Sequence, residues 1–548
     1  MNRNNFQELP ERLAQNSYNW IQYFNDDGQL VKLRFTELSN LVVNRAAYLR
    51  GEVGNASNVS VVLYAKPGIE WVVAALGAIY CGYELIALPE TMTNEEVVAS
   101  TETIEFGVVI ANDDGLLLPS FQKKVLVSVN DFIPGVPVHE AKHGNNHVND
   151  NVSERPTTND IEISTSVVAF TSGSTAGSKL KAFKVDYGNS LAFSDRFRKV
   201  FDITRDDNWT VVHSFSHIVH FEYVLGGLYW GYNVTVTSVI QLFIKGQEIN
   251  PAVLVTVPTV YEQIVQLIQN KFSEIDDGAK VQEEIESREV SRTDGRIVRH
   301  KQCEAASLLL GQSLKMMLIG ASPSSLELQT KLLQYGLPMY EGYGMSELNM
   351  ISCNTPDVSF LGSVGPVWPG MHVKIENDII HAKDTLPRTS CYINASTEDN
   401  VATFLHGGWI CTGDIGVLNN KLLTITGREK EVIVNAGGEN INPAPIEKKI
   451  LALVGVEHVV LYGDRKPYLV AIISTSNALS TVDKIKRGIE GINKNLPIFQ
   501  RVLDTVFVSP SFSVSDGTLT RSGKVRKGKV VEHYNKEIEN IYSIGENV

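Results

Sequence analysis

A stretch rich in hydroxyl groups and glycine lies between two apolar segments of the chain. It reads FTSGSTAGSKLKAF, residues 170–183, and carries two lysines near its end. A tight turn between strands can direct successive backbone N–H groups and hydroxyls towards an anion, and lysines add positive charge there. The spacing is not that of a Walker loop, because Gly173 and Gly177 are only four apart and Leu180 stands at the hydroxyl position. A phosphate-binding loop is favoured over a plain linker, and both stay open at this point.

Short β-branched runs alternate with helix-forming segments on both sides of this loop. VSVVLYA, FGVVIA and KKVLVSV precede it, and WTVVHSF, NVTVTSV and AVLVTVP follow it. This alternation predicts two α/β sublobes with largely parallel, buried sheets. From about residue 362, short strands punctuated by Gly, Pro and Asn predict a small β-rich lobe, and the tail from residue 431 predicts a separate α+β domain. The predicted fold class is α/β, with a large N-terminal domain and a small, mobile C-terminal domain.

Composition limits the class of protein. The 548 residues exceed what one core accommodates, and the net charge of -13 without a long Lys/Arg run argues against a nucleic-acid partner. Five scattered cysteines argue against a zinc cluster or a disulfide framework, and for a reducing compartment such as the cytoplasm. The apolar stretch 71–89 is interrupted by Gly77, Gly82 and Glu84, which predicts a buried helix running into a strand and no membrane span.

Two polar stretches are given no chemical role. Residues 134–160 are rich in Asn and Pro without periodicity, which predicts a surface connection. Residues 269–309 are dense in charge and helix formers, which predicts solvated helices.

Eight motifs follow one another along the chain. They are FTSGSTAGSK, SFSHIVHFE, LIGASP, YEGYGMSE, GSVGPVWPG, GGWICTGD, GREKEVIVNAGGENINPAPIE and LTRSGKVRK. In this order they resemble the AMP-forming adenylating enzymes: acyl-CoA synthetases, luciferase-like enzymes and peptide-synthetase adenylation domains. The resemblance extends from about Phe35 to Lys527. It implies that a carboxylate attacks the α-phosphate of ATP, giving an acyl adenylate and pyrophosphate, and that a thiol then takes the acyl group.

The resemblance also assigns residues to the phosphates and to Mg²⁺. It implies a phosphate loop formed by Thr171, Ser172, Gly173, Ser174, Thr175 and Lys179. It implies Mg²⁺ ligation by Glu347 and Thr175, oxygen ligands that suit this hard cation, with Ser346 where the family usually has Thr. The loop has Ala-Gly-Ser before its lysine in place of the family's Gly-x-Pro, so we expect it to be disordered without nucleotide.

Adenine and ribose are assigned in the same way. The resemblance implies that adenine lies between Gly320, Ala321 and Ser322 on one side and Glu341, Gly342 and Tyr343 on the other, with Gly344 next in the second motif. Asp414 matches the carboxylate that accepts hydrogen bonds from both ribose hydroxyls in this family, and Arg428 adds a hydrogen-bond donor nearby.

The resemblance implies two domains that alternate between two orientations. Residues 1–427 form the ATP- and acyl-binding domain, residues 428–430 the hinge with Lys430 as its pivot, and residues 431–548 the domain of the catalytic lysine, Lys524. This lysine is brought to the acyl carboxylate and the α-phosphate. His217 matches the motif histidine beside the acyl pocket, although a lone histidine is more often an ordinary core or surface residue.

The sequence indicates a class of acid substrate and not an individual acid. The motif sequences are most similar to those of fatty acyl-CoA synthetases, and the apolar Tyr229, Trp230 and Met345 are candidates for lining the acyl pocket. The acyl acceptor is CoA, or alternatively the phosphopantetheine of a carrier protein that receives an aryl or acyl group. A nucleotide-binding scaffold without turnover is the third hypothesis.

Overall fold

A computed structural model describes residues 8–53, 59–130, 166–171, 180–475, 479–508, 511–513, 515–520 and 524–545. The strands are β1 (Trp20–Phe24), β2 (Leu30–Arg34), β3 (Ser60–Tyr64), β4 (Glu84–Ala87), β5 (Val108–Ala111), β6 (Val125–Ser128), β7 (Ser166–Phe170), β8 (Ala182–Asp186), β9 (Asn208–Val211), β10 (Asn233–Val236), β11 (Val253–Thr256), β12 (Met316–Ile319), β13 (Met339–Met345), β14 (Asn349–Cys353), β15 (Met371–Glu376), β16 (Ile379–Asp384), β17 (Ile410–Asn419), β18 (Leu422–Arg428), β19 (Ile433–Val434), β20 (Asn440–Ile441), β21 (His458–Tyr462), β22 (Leu469–Ser474) and β23 (Val502–Val508). The helices are α1 (Leu9–Gln15), α2 (Phe35–Val53), α3 (Ile69–Tyr80), α4 (Asn94–Thr101), α5 (Asp113–Leu116), α6 (Tyr187–Val200), α7 (Ile218–Trp230), α8 (Val239–Ile249), α9 (Pro258–Lys271), α10 (Gly278–Glu286), α11 (Glu304–Leu310), α12 (Leu326–Gln334), α13 (Thr397–Thr403), α14 (Ala444–Leu451), α15 (Leu479–Asn493), α16 (Lys527–His533) and α17 (Asn535–Gly545).

The first sheet has six strands in the order β6-β5-β3-β4-β7-β8. All its pairs are parallel except β7 with β8. The inner strands are buried along almost their whole length, as their β-branched runs predict. The apolar stretch 71–89 contributes to α3, runs into β4 and is buried, which confirms its sequence prediction. The predicted phosphate loop connects β7 to β8, so this sheet positions both of its ends.

The second sheet has eight strands in the order β14-β13-β12-β11-β9-β10-β1-β2. The inner pairs are parallel, and β14 and β2 close the two edges in antiparallel fashion. The N-terminal hairpin β1–β2 joins this sheet through β10, which the sequence did not predict. In a parallel sheet, ligands bind beyond the carboxyl ends of the strands. The segments after β9 and β12, and the last part of β13, are therefore the ones that form the site.

Two smaller units follow. Strands β15 to β18 form an antiparallel sheet, the predicted β-rich lobe. In the C-terminal part, β21, β22 and β23 form a three-stranded sheet with a separate apolar core on each face. The predicted α/β fold class, with its β-rich lobe and small α+β domain, is confirmed.

The charged stretch 269–309 is helical only in part. Helix α10 ends at Glu286 and α11 begins at Glu304, and the residues between them form isolated β-bridges, including one between Arg296 and Phe360. The prediction of solvated helices is wrong for residues 287–303, because tertiary contacts override local helix propensity there, as when the Arg299 guanidinium packs over the Tyr340 ring. Residues 134–160 lie outside the described residues. Within the described part of the chain, no helix combines the length and the apolar character needed to cross a bilayer.

A buried ion pair joins α7 to the segment after β16. The Glu222 and Arg388 side chains are 0% and 5% exposed, and their charged atoms lie 2.9 Å apart. The alignment is not that of a hydrogen bond, so the contact is chiefly ionic. The Asn349 amide donates to the other Glu222 oxygen at 2.5 Å. Burial raises the pKa of Glu222, and the Arg388 charge opposes that rise.

We expect Arg388→Met to destabilise the protein by about 3–5 kcal/mol, because it leaves the Glu222 charge buried without its cation. Thermal and denaturant unfolding measure the loss. The double variant Glu222→Gln/Arg388→Met is the control and should recover much of it, because the uncompensated charge is then gone. Equal stability of Arg388→Met and the natural protein would contradict the prediction.

Candidate functional site

The predicted phosphate loop is described only at its ends. Ser172, Gly173, Ser174, Thr175 and Lys179 lie outside the described residues, and so does the expectation of a disordered loop. Thr171, the first loop residue, donates its backbone N–H to the Lys181 carbonyl at 2.9 Å, which continues the pairing of β7 with β8 across the loop's base.

Asn394, in the segment between β16 and α13, anchors the exit from this loop. Its side-chain oxygen accepts from the Ala182 N–H at 2.6 Å, and its amide donates to the Leu180 carbonyl at 2.7 Å. One amide thus satisfies a donor and an acceptor of the loop exit. The Lys181 ammonium lies 2.8 Å from Asp399 on α13.

Glu347, the predicted Mg²⁺ ligand, is 5% exposed and follows β13. The Tyr392 hydroxyl donates to its carboxylate at 2.5 Å, and the Lys181 ammonium lies 4.9 Å from the centre of the Tyr392 ring. Burial, and then the Glu347 charge, raise the pKa of Tyr392, so this hydroxyl stays a donor. Ser346 is half-buried beside it. A carboxylate and a hydroxyl on one tight turn are a donor set that suits a hard cation.

The two predicted adenine walls come from adjacent strands. Gly320, Ala321 and Ser322 follow β12, and Glu341, Gly342, Tyr343 and Gly344 belong to β13. Ala321 has a φ of +69°, an uncommon conformation for a residue with a side chain that is found at ligand sites. Gly344 has no room for a side chain, because an added Cβ would lie 1.9 Å from the Asn349 carbonyl oxygen.

The Glu341 side chain holds the two walls together. It is 7% exposed and accepts from the Ser324 hydroxyl and from the Gln329 amide, both at 2.8 Å. Burial raises its pKa, and the hydrogen bonds from Ser324 oppose that rise. This carboxylate therefore has a structural role, and only the backbone of Glu341 is left to face a base.

Asp414, the predicted ribose ligand, is 6% exposed and lies opposite Arg428 in the pairing of β17 with β18. Its carboxylate accepts from the Arg428 Nε at 2.7 Å and from the Tyr343 hydroxyl at 2.6 Å. Burial lowers the pKa of Arg428, but the charge and hydrogen bond of Asp414, together with the charges of Glu431 and Tyr343, outweigh burial, and the net shift is upward. Burial and Asp414 raise the pKa of Tyr343. Three predicted nucleotide residues thus meet in one hydrogen-bonded group.

Lys524 reaches this group from the C-terminal part of the chain. Its backbone exchanges hydrogen bonds with Thr520, at 2.7 Å to the Thr520 N–H and 2.9 Å to its hydroxyl. Burial and then the Arg428 charge lower the pKa of Lys524, while Asp414 raises it. Burial and then the Lys524 charge also lower the pKa of His217. His217 stands directly before α7 without a side-chain capping hydrogen bond, and it is exposed. Because the Lys524 charge acts on it, the two side chains border one cleft.

Charged pairs lie on both sides of the predicted hinge. Arg428 pairs with Asp414, and Glu431 pairs with Lys527 of α16 at 2.6 Å. Lys430, the predicted pivot, is exposed in the short 3₁₀ turn between them. Its charge adds to that of Lys181 in lowering the pKa of Asp399.

Sequence reasoning missed Tyr392 and Asp399. Neither missed residue belongs to a motif, and each contacts a site residue far from it in the chain. Tyr229 and Trp230 end α7 about 20 Å from His217, with Tyr229 against Arg12 and the Trp230 Nε1 donating to Ser194. That they line the acyl pocket stays a prediction. Met345 lies beside the metal motif, partly buried against the core.

Two family descriptions match the chain. The one described as AMP-binding enzyme matches residues 9–381, and the AMP-binding enzyme C-terminal domain matches residues 430–546. The long-chain-fatty-acid–CoA ligase FadD15 of Mycobacterium bovis is 26% identical over 333 residues, which are 54% of this chain and 55% of that protein. The long-chain-fatty-acid–CoA ligase ACSBG1 of Bos taurus is 27% identical over 269 residues, 41% of this chain and 37% of that protein. The chain thus spans about half the length of the curated relatives it matches, or less.

Solved structures are similar over nearly the whole chain. ATP-bound MatB from Rhodopseudomonas palustris has a TM-score of 0.72 at 18% identity, covering 97% of this chain and 99% of that one. The o-succinylbenzoate coenzyme A synthetase MenE from Bacillus subtilis, in complex with ATP and magnesium ion, has a TM-score of 0.69 at 19% identity. The match covers 95% of this chain and 98% of that one. At these identities the likeness shows the fold.

We expect Tyr392→Phe to weaken divalent-cation binding about tenfold or more, because Glu347 loses the hydroxyl that orients it. Titration of Mn²⁺ in the presence of ATP, followed by electron paramagnetic resonance, measures the affinity. Tyr335→Phe is the matched control: its hydroxyl donates to Glu286 at 2.7 Å, away from the site, and its loss should leave Mn²⁺ binding unchanged. Equal affinities in both variants would contradict an orienting role for Tyr392.

Proposed function

Because this chain belongs to the AMP-binding enzyme family, we propose that it is an ATP-dependent acid–thiol ligase. It joins a carboxylic acid to the α-phosphate of ATP, releases pyrophosphate, and then transfers the acyl group from the adenylate to the thiol of CoA. The observation that carries this proposal is the convergence of Lys524 with Arg428, Asp414 and His217, residues that lie far apart in the sequence.

The reaction needs a cation between two anions. The acid carboxylate and the α-phosphate repel each other, and a lysine between them lowers that repulsion. Lys524 fits this role because it lies in a partly desolvated position, where its charge is stronger than in water. His217 lines the same cleft and bounds the place of the acyl group.

The nucleotide is held by groups whose chemistry matches its parts. Asp414 accepts from ribose hydroxyls, with Tyr343 and Arg428 fixing the orientation of its carboxylate. The slot between Gly320 and Gly342 takes adenine. The phosphate loop, Thr171 to Thr175 with Lys179, holds the β- and γ-phosphates. Glu347 and Thr175 would hold Mg²⁺, which supplies positive charge that neutralises the departing pyrophosphate.

A fatty acid is the proposed acid, and CoA the proposed acceptor. The motif wording and the names of the relatives FadD15 and ACSBG1 support this choice. The alternative is an aryl or acyl acid that is loaded onto the phosphopantetheine of a carrier protein. All five cysteines are free thiols, which supports the predicted reducing, cytoplasmic location.

Acid-dependent exchange of pyrophosphate into ATP tests the first step. A panel of fatty, aryl and short carboxylic acids should contain at least one acid that supports exchange, and CoA or a carrier protein added afterwards should yield a thioester with one of them. If no acid supports exchange, the chain is a nucleotide-binding scaffold and the proposal fails.

We expect Lys524→Ala to slow exchange about a hundredfold or more, while ATP affinity changes less than about threefold. The pH profile adds a second measurement. Lysine is charged below its pKa, and the pKa of Lys524 is lowered from its ordinary value of 10.5. As pH rises, activity should therefore begin to fall before pH 10.5 is reached.

Lys524→Arg is the matched control for the pH profile. Arginine stays protonated throughout this range, so this alkaline limb should disappear even if the rate is lower. An unchanged exchange rate in Lys524→Ala, or an identical alkaline limb in Lys524→Arg, would contradict the role.

We expect Lys430→Pro to separate the two steps, because proline fixes φ near −65° and holds the hinge in one conformation. The ratio of thioester formation to exchange, measured on one enzyme preparation, should change about tenfold or more. Lys430→Ala removes the same charge without fixing φ and should keep the natural ratio. An unchanged ratio in the proline variant would argue against a pivot at this residue.

A further inference from the structure

A tight turn carries Glu347, the predicted Mg²⁺ ligand, between β13 and β14. The Leu348 N–H donates to the Met345 carbonyl at 3.1 Å, and Met345 pairs with Asn349 where the two strands meet. Only residues 346–348 lie inside the turn, so the backbone of Asn349 helps to set its direction. Glu347 and Asn349 are 5% and 6% exposed, so both side chains depend on partners within the protein.

Asn349 combines an uncommon backbone conformation with a hydrogen bond from its side chain. Its φ is +65°, in the left-handed region that Gly, Asn and Asp adopt most readily. Its amide donates to the Glu222 carboxylate on α7 at 2.5 Å. Glycine would suit the backbone but has no side chain, and aspartate would place a second carboxylate against Glu222. Asparagine is therefore the one of these three residues that suits both the backbone and its partner.

The hydrogen-bond partner of Asn349 is itself held in place by a charge. Arg388 lies 2.9 Å from the other oxygen of the Glu222 carboxylate, and these two side chains are 5% and 0% exposed. A hydrogen bond to a charged acceptor is stronger than one between neutral groups. Glu222 therefore gives the Asn349 amide a strong acceptor that is fixed between α7 and the segment after β16.

That segment contacts the turn a second time. Four residues after Arg388, the Tyr392 hydroxyl donates to the Glu347 carboxylate at 2.5 Å. The same stretch of chain thus holds the ligand's side chain directly, and holds the backbone beside it through the buried ion pair. A metal ligand has to be kept within about 0.5 Å of its working position, and hydrogen-bonding partners behind the ligand do this in proteins.

We propose that Asn349 is a positioning residue for Glu347, anchored by the buried pair of Glu222 and Arg388. This inference rests on the proposed function, because it takes Glu347 as a ligand of Mg²⁺. Without the Asn349 amide, the turn loses its connection to α7, and the Glu347 carboxylate is no longer held in one position. Affinity for the cation then falls although Glu347 itself is unchanged.

Asn349→Asp tests the proposal. Aspartate keeps the size of the side chain and tolerates the same φ, but it replaces the donor with a carboxylate that repels Glu222. Mn²⁺ affinity, measured with ATP by electron paramagnetic resonance, should fall about tenfold or more, while ATP affinity measured without a metal should change less than about threefold. A role in stability alone would not change the metal affinity of the folded protein.

The double variant Glu222→Gln/Asn349→Asp exchanges donor and acceptor. The glutamine amide then donates to the new carboxylate, and the number of buried charges is the same as in the natural protein. Arg388 lines one small cavity together with residue 349, so its charge remains beside the relocated carboxylate. Mn²⁺ affinity should return to within about threefold of the natural value, because the two substitutions compensate each other.

Asn250→Asp is the matched control. Asn250 also has a left-handed backbone, with a φ of +50°, and its amide donates to the Ser313 hydroxyl at 2.8 Å where α8 ends. This variant should keep the natural Mn²⁺ affinity. Asn349→Gly keeps the left-handed backbone without burying a new charge, so it serves if Asn349→Asp does not fold, and it should lower Mn²⁺ affinity about threefold or more.

Two results would overturn the inference while the proposed function stands. In one, Asn349→Asp unfolds at a lower temperature but binds Mn²⁺ as the natural protein does, which would leave Asn349 a structural role only. In the other, the folded double variant binds Mn²⁺ no better than Asn349→Asp. If the natural protein binds no Mn²⁺ with ATP and no acid supports exchange, the proposed function and this inference fail together.

Discussion

The carboxylate of Asp414 is the point at which the elements of the site meet. A carboxylate that is only 6% exposed has to be hydrogen-bonded, and Asp414 meets this requirement with donors from two units. Tyr343 comes from the eight-stranded sheet, and Arg428 from the neighbouring strand of the β-rich lobe. The lobe is thereby held against the sheet. Arg428 also ends β18, so this carboxylate holds the residue directly before the predicted hinge.

The structure contrasts strong and weak ion pairs. Glu222 and Arg388 are almost fully buried, so breaking their pair leaves a charge in a medium that cannot solvate it. Beside the predicted hinge, the side chains of Glu431 and Lys527 are 35% and 27% exposed, and both residues belong to the C-terminal part. Partly exposed pairs contribute only about 0–1 kcal/mol each, because water solvates the charges when they separate. Breaking the Glu222–Arg388 pair therefore costs more than breaking the pair beside the predicted hinge.

The sequence predicted the fold class and the positions of the motif residues, because strand patterns and ordered motifs are local signals. It did not predict Tyr392 beside Glu347 or Asp399 beside Lys181, since those contacts join residues 45 and 218 positions apart that belong to no common motif.

Three histidines, His213, His217 and His220, cluster around the start of α7, and burial keeps them from sharing the positive charge of Lys524. The pKa of His213 falls to about 4, and those of His217 and His220 are also lowered, His217 partly by Lys524 itself. At neutral pH these rings are therefore uncharged, and the positive charge on this side of the cleft remains on Lys524. Neutral rings also cost less to bury than imidazolium ions, so α7 can pack tightly against the sheet. The same burial that stabilises the helix interface thus leaves the positive charge on Lys524, where the proposed reaction brings two anions together.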